Sequence, residues 1–539
     1  MLSILAWISV LAVSAPDSVA GTAGSVRPLH QWQPCELVFQ AAADCADPFD
    51  PAVDFHAVFT GPQGARLTIP GFWDGDRTWK IRFTPTAAGT WEYRTSSANR
   101  TDRGLHDRQG RLAVQPPTNE TLLRRHGGFL RVSDNRRYLT YSDGTPFFWL
   151  GDTWWQCPSA YVPLAQFERL IDLRAKQGYT VFQAHGHRAL RADGPNVFEA
   201  IATATPQALA YWREVDQYFA YAEEKGLLGV MGFAGHALLD PIGLQDLKRL
   251  WRYYLARYGA YPITFLITQE YNANIGKLQQ RLPKLLALGQ FIHDVDPYRR
   301  AMSVHPWTIA REQREAWNEP WHDFIMLQAG HRVFTNVKRY GEFYAAATFK
   351  PMIESEGNYE GFVGKDFPVD AAAVRRTAYS AIQAGCCGFT YGAQGLYAGV
   401  QDKAEPFNTP RWGPVLTWEE GLMLPGGAQM QHLRACYESL AWWRLEPCPD
   451  AVPGTRVLVK AEGQRALLLY FLAGDPPANA RLARIPPGNR YHAAWFDPRN
   501  GQKTVVSEPL TADAQGLPLP AKPDKEDWVL LLTSSSPRP

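Results

Sequence analysis

The chain has 539 residues, too many for one ordinary hydrophobic core, so two or three domains are expected. Hydrophobic residues at 45% and charged residues at 20% exclude an intrinsically disordered chain. A formal net charge of +2 without any Lys/Arg block excludes nucleic acid and anionic membrane surfaces as electrostatic partners.

Residues 1–20 read as a secretory signal: an apolar stretch from Leu2 to Val13, then small residues ending Val19-Ala20, although no Lys or Arg precedes it. The run is too short to span a bilayer and no other segment is long enough, so a secreted or periplasmic protein without a membrane span is expected. Residues 21–115 carry a β pattern. "TWKIRFTP" alternates Trp79, Ile81 and Phe83, and "TWEYRTSS" alternates Trp91 and Tyr93, with a turn at Gly89 between them. Short strands and many turn signals predict a β-sandwich. A polar, Pro-bearing linker follows near Gln115–His126.

From 127 to 430 the period changes. "LAQFERLIDLRAKQG" puts Leu164, Phe167, Leu170 and Ile171 on one helical face and stops at Gly178. "WREVDQYFAYAEEKG" and "VDAAAVRRTAYSAIQAG" repeat the design, stopping at Gly226 and Gly385. Between such helices lie eight short apolar runs: "FFWLGD", "YTVFQAHGH", "LGVMGFAGH", "ITFLITQEYN", "AMSVHPW", "DFIMLQAGH", "PMIESEG" and "CCGFTYGAQG". Continuous apolar strands alternating with helices predict a parallel sheet, and eight of them predict an α/β fold closed as a (β/α)8 TIM barrel. An open doubly wound sheet competes, but no Gly-rich phosphate loop follows the first strand. Residues 431–539 return to a β pattern and predict a second, small β-sandwich.

Seven cysteines suit an oxidising compartment, with Cys35–Cys45 and Cys436–Cys448 as expected bridges and Cys157, Cys386 and Cys387 as buried thiols. Aromatic residues reach 13%, with 19 Trp. Sugar C–H faces stack on such rings, and sandwich cores also consume them.

The carboxylates carry the chemistry. Active residues of a barrel sit at the C-terminal ends of its strands. Glu270 ends the fourth predicted strand and Glu356 the seventh, so the two face each other across the mouth. Glycoside cleavage needs such a pair, one carboxyl to protonate the leaving oxygen and one to attack the anomeric carbon or activate water.

"PFFWLGDTWW", "GYTVFQ", "QEYN" and "KPMIESEGNYEG" together resemble the apiosidase-like glycoside hydrolases of the retaining (β/α)8 clan. The flanks resemble that group's companions: a β-sandwich of unknown function at "PGFWDGDRTWKIRFTP", and a collagen-binding-type β domain at "WFDPRNG". The resemblance implies a carbohydrate substrate, no cofactor, Glu270 as acid/base and Glu356 as nucleophile. Apiosidases carry Asp where this chain has Glu270, a departure that argues against apiose itself as the sugar. Glu354 is the rival nucleophile, since residues two apart on a strand share a face. Glu356 is preferred because its distance from Lys350-Pro351 matches the family's spacing.

Asp152, with Trp154 and Trp155 beside it, is expected to accept a sugar hydroxyl within an aromatic wall, against a turn-capping role. His185, His187, His236, His305 and His331 follow predicted strands two, three, five and six, and are expected to hydrogen-bond sugar hydroxyls. A metal site at the His-x-His pair is disfavoured because strand eight ends "TYGAQG", without a late acid. Tyr271, Asn272, Trp307, Gln328, Glu354, Tyr391 and Trp412 complete the substrate-binding expectation, and Glu360 is read as a helix N-terminal or substrate-contact residue. Two rival readings remain open here: a metal-dependent barrel hydrolase and a catalytically inactive carbohydrate-binding protein. Nothing in the sequence fixes the oligomeric state.

Overall fold

The computed structural model describes residues 9–12, 28–235, 239–308, 314–331, 337–346, 350–363, 367–404, 413–474 and 479–535. Two sheets form the N-terminal sandwich. One orders Leu29–His30, Gln109–Gln115, Gly89–Ser96, His56–Thr60 and Arg66–Pro70; the other orders Ser9–Ala12, Cys35–Gln40, Thr78–Phe83 and Phe72–Trp73. Trp91, Tyr93 and Thr95 alternate inward along Gly89–Ser96 while Glu92 and Arg94 face water, the half-buried pattern of an antiparallel strand. Phe59 stacks on Phe83 at 3.9 Å in the core between the sheets. The expected linker contains a short helix, Leu122–His126, capped by the Thr121 side chain.

Arg82 lies on the sandwich strand yet is buried, because it leaves the sandwich for the barrel. Its guanidinium donates to both oxygens of Asp216 at 2.9 and 2.6 Å, to the Arg257 carbonyl at 2.8 Å, and to Glu36 at 2.9 Å. A buried charge so fully paired fixes how the two domains meet.

The barrel closes as expected. Its strands run Trp149–Trp154, Val181–His185, Leu228–Gly235, Ile263–Gln269, then Ile325–Leu327, Met352–Glu354 and Gly388–Tyr391, all parallel, with the last pairing back to the first. The fifth position is an irregular segment, 301–305. Met302 bridges Phe265, the Ser303 and His305 amides donate to Phe265 and Thr268, and the Asp323 amide returns to Met302. The helices Leu164–Lys176, Pro206–Lys225 and Ala371–Gln383 stand where their periodicity places them. Gly226 caps the second of these at φ 80°, a left-handed turn that glycine adopts without strain.

One irregularity bears on chemistry. Between the third and fourth strands the register jumps from Met231–Phe265 to Gly232–Ile267, leaving Leu266 as a bulge. Ile267 and Glu270 both take positive φ, at 46° and 50°. Bulges re-aim the side chains that follow them, and here the residue re-aimed is Glu270.

The boundary expected after residue 430 falls inside the helix Pro425–Glu438, whose Tyr437 hydroxyl donates to Gln383 of the neighbouring barrel helix at 3.1 Å. The C-terminal domain then begins with a sheet of Glu446–Pro447, Leu458–Glu462, Ala466–Phe471, Trp528–Ser534, Arg490–Phe496 and Lys503–Val505. A second small sheet pairs Arg481–Leu482 with Leu517–Pro518. Arg375 of the barrel holds Asp527 of this domain bidentately, at 2.6 and 3.0 Å.

All seven cysteines are free thiols, so the two expected bridges are corrected. Cys35 opens a core strand and is fully buried, and burial pushes its thiol up to about 12. Cys436 is likewise buried on the helix Pro425–Glu438. Both are packing groups, committed to the core rather than to a partner. Among the described residues no helix is long and apolar enough to cross a membrane.

Candidate active site

Glu270 follows directly on the fourth strand and Glu356 lies two residues past the seventh. Both reach the barrel mouth, where they share neighbours. Gln269 Nε2 donates to Glu356 Oε2 at 3.4 Å, and Gln328 Nε2 donates to Glu270 Oε1 at 3.2 Å. Nε2 of His331 stands 3.5 Å from Glu356 Oε1, and Nε2 of His305 stands 3.7 Å from Oε2.

This environment drives the two carboxyls apart. Burial pushes Glu270 up to about 7; the charge of Glu356 adds to the rise, and the Gln328 hydrogen bond opposes it. Burial also presses Glu356 upward, but His331, His305 and the Gln328 amide together hold it below the ordinary carboxylate value. His305 is itself lowered by burial more than Glu356 raises it. One carboxyl keeps its proton near neutrality while its neighbour loses it. That is the division of labour an acid and a nucleophile require.

Around the pair stands a ring of aromatic and amide groups. Trp155 stacks on His185 at 4.6 Å, meets His305 edge-on at 5.3 Å, and donates its indole N–H to the Tyr359 hydroxyl at 3.0 Å. His187 lies 5.6 Å from His185. Burial drives His185 well below the usual histidine range and His187 to about 4, so both rings are neutral. His185 Nε2, His187 Nδ1, Gln183 Oε1 and Gln328 Oε1 are buried without a hydrogen bond in the protein. Buried polar atoms are seldom left so, and several at one mouth call for a polyhydroxyl ligand. Trp307 lies on the rim, 37% exposed, and its amide donates to Asn272 Oδ1 at 2.7 Å, so Asn272 presents the indole.

Five expected contacts are corrected. Asp152 is fully buried; its Oδ2 accepts from Arg174 Nε at 2.6 Å and its Oδ1 from the Thr153 amide at 2.8 Å. Trp154 stacks on Phe182 and meets Phe167 edge-on, inside the helix layer. Tyr391 gives its hydroxyl to Glu360 at 2.6 Å, and Tyr271 gives its own to Glu315 at 2.7 Å. Glu354 faces the helix Val337–Ala346, with the Tyr340 hydroxyl 2.7 Å from its Oε2. Asp152, Trp154, Tyr391 and Glu354 turn toward the helix layer, and the Tyr271 hydroxyl is committed to Glu315. Glu360 takes its helix N-terminal reading, accepting the Gly426 amide at 2.9 Å at the start of Pro425–Glu438. His236 and Trp412 lie outside the described residues.

Gln183, Gln269 and Tyr359 are mouth residues that sequence reasoning missed. Gln183 and Gln269 sit inside strands that read as apolar runs, and a polar residue there was itself a usable signal.

The buried Asp152–Arg174 pair yields a stability prediction. Asp152→Ala strands a guanidinium that is 0% exposed, and removing one partner of such a pair costs about 3–5 kcal/mol. Urea unfolding should show a lower midpoint at unchanged slope.

Residues 133–444 match the family model of the apiosidase-like catalytic domain. Residues 28–98 match a domain of unknown function (DUF5060), and residues 451–533 match a collagen-binding-type domain described from a collagenase. No curated protein matches the chain. Among solved structures, one from Bacteroides vulgatus ATCC 8482, titled "a putative glycoside hydrolase", superposes with a TM-score of 0.71 at 18% identity. It covers 94% of this chain and 99% of its own. A family 5 glycoside hydrolase from the same organism gives 0.65 at 21% identity, over 76% and 94% of the two chains. Another structure titled glycoside hydrolase gives 0.65 at 23%, over 76% and 98%. At these identities the superpositions speak for the fold.

Proposed function

The chain belongs to the apiosidase-like family of glycoside hydrolases, and from that membership we propose that it cleaves the glycosidic bonds of a poly- or oligosaccharide, furanosides included, with net retention. Glu356 attacks the anomeric carbon while Glu270 gives its proton to the leaving oxygen. A covalent glycosyl-enzyme forms, and Glu270, now a carboxylate, draws a proton from the water that releases the sugar and frees Glu356. The observation that carries this reading is the opposed protonation of the two carboxyls, Glu270 raised to about 7 and Glu356 lowered, with Gln328 between them. The unpaired amide and imidazole atoms at the mouth support hydroxyl recognition, and Trp307 supports stacking of a sugar ring beyond the cleaved bond.

A panel of aryl furanosides and pyranosides, with plant and bacterial polysaccharides alongside, tests the substrate class. NMR of the first-formed anomer tests retention, and an inverted product would reject the double displacement. Trp307→Ala should raise KM on a polymer by roughly fivefold, the equivalent of about 1 kcal/mol of stacking. Its kcat should stay within threefold on the order of experimental scatter. An equal loss on a small aryl glycoside would place the indole against the reacting sugar. The signal reading of residues 1–20 predicts a mature N-terminus at Gly21, which would remove the strand Ser9–Ala12 from its pairing with Cys35–Gln40; N-terminal sequencing of exported protein checks it. The free cysteines lend that reading no support.

A further inference from the structure

Glu354 points away from the mouth, yet three protein groups hold its carboxyl. It ends the seventh strand at 0% exposure. Its Oε1 accepts two backbone amides, Ala329 at 3.1 Å and Glu356 at 3.2 Å, and its Oε2 meets the Tyr340 hydroxyl at 2.7 Å. Those two amides are not incidental. Ala329 directly follows Gln328, the amide that bonds Glu270, and the Glu356 amide belongs to the nucleophile itself. The Gly330 amide then donates to the Glu356 carbonyl at 3.2 Å, tying the same two loops a second time.

Resting on the proposed hydrolase reading, we propose that Glu354 is a positioning residue: its carboxyl staples the loops after the sixth and seventh strands, so that the Glu356 carboxylate and Gln328 keep their reactive placement. It acts through backbone and touches no substrate.

The neutral acid satisfies this geometry. Its Oε1 takes both amides and its Oε2 accepts the Tyr340 hydroxyl. Burial pushes Glu354 up to about 8; the Tyr340, Ala329 and Glu356 hydrogen bonds oppose that rise, and the charge of Glu356 adds to it. The titratable groups facing it are Tyr340 from the helix, Glu356 from its own loop, and Cys386 from the entry to the eighth strand. None of these three carries a positive charge. A neutral staple also keeps a second negative charge away from the nucleophile.

Glu354→Gln keeps an oxygen for the two N–H groups and cannot ionise; Glu354→Ala removes the staple. On an aryl glycoside that the wild type turns over, Glu354→Ala should lower kcat about a hundredfold with KM nearly unchanged, and Glu354→Gln should restore it to within about threefold. Added azide should give a glycosyl azide with Glu356→Ala and none with Glu354→Ala. With Glu270→Gln as background and an activated leaving group, kcat/KM should fall near pH 8, and the Glu270→Gln/Glu354→Gln double variant should lose that fall. Thermal melting gives a readout that needs no substrate. A carboxyl raised in the folded state costs stability as pH climbs past its unfolded value, so Glu354→Gln should gain on the wild type between pH 5 and 9.

Native kcat in folded Glu354→Ala would overturn the inference, as would azide capture by that variant or a melting difference independent of pH. If Glu354→Ala does not fold, the Glu354→Gln profiles decide. An active Glu356→Gln enzyme, or native Glu270→Gln turnover on a substrate with a poor leaving group, would instead sink the hydrolase reading. A dead Glu356→Gln beside a native Glu354→Ala would sink this inference alone.

Discussion

Glu356→Ala is expected to lose turnover by roughly 10⁴–10⁶-fold, the scale on which removal of a covalent nucleophile acts. The loss should fall on kcat, because His305, His331, Trp155 and Gln328 still shape the mouth for the sugar. Azide is the decisive addition. In Glu356→Ala the deleted side chain leaves room on the attacking face, so azide should displace the leaving group directly and give a glycosyl azide of inverted configuration. In Glu270→Ala the nucleophile remains, and azide intercepts the glycosyl-enzyme to give a retained product. Opposite stereochemistry from the two variants separates the roles without reference to any distance. Near-native turnover in Glu356→Ala with a dead Glu354→Ala would move the nucleophile to Glu354, against the burial and orientation of that carboxyl. If both variants stay active, neither carboxyl attacks and the glycosidase mechanism is wrong.

The barrel was legible because its strands are largely apolar and three of its helices stop at or just before glycines. That same uniformity hid which way each strand residue points. In a parallel sheet both faces are buried, so hydrophobicity does not separate the barrel interior from the helix layer. Asp152 and Trp154 share the helix-facing side of the first strand, where Arg174 and Phe167 meet them, while Trp149 reaches inward to Thr390. Glu354 and Tyr391 fall on the same outer side of their strands. A polar residue at a strand end was therefore ambiguous by one position, and four expected contacts landed on the wrong face. Trp155 and Glu356 reach the mouth because the chain has already left its strand there. For Glu270 the deciding feature is the Leu266 bulge, which no periodicity announces. The cysteine expectation failed for a related reason. Spacing in sequence says nothing about burial, and these thiols are core residues.

The pH profile carries the second large effect. For kcat/KM the enzyme must hold Glu356 ionised and Glu270 protonated. Glu356 is lowered, so the acid limb should lie below the ordinary carboxylate value; Glu270 is raised, so the alkaline limb should fall at about pH 7. Above that point the rate should drop tenfold per pH unit on a substrate with a poor leaving group. Glu270→Gln should cost about 10²–10⁴-fold on such a substrate and far less on an activated aryl glycoside, whose leaving group needs no proton. The limb at about 7 should vanish with it. The two carboxyls also set each other's proton affinity. Part of the rise in Glu270 comes from the charge of Glu356, so carboxyl NMR of Glu356→Gln should find Glu270 titrating lower than in the wild type. Stability carries the same sign. A carboxyl raised in the folded state favours folding while it stays protonated and disfavours it as pH rises from the unfolded value toward about 7. Glu270→Gln should therefore melt higher than the wild type at pH 8 by more than at pH 5. An alkaline limb that survives at about 7 in Glu270→Gln would assign the transferred proton to another group. Without a raised Glu270 the mouth holds a nucleophile but no acid, and a poor leaving group could not depart.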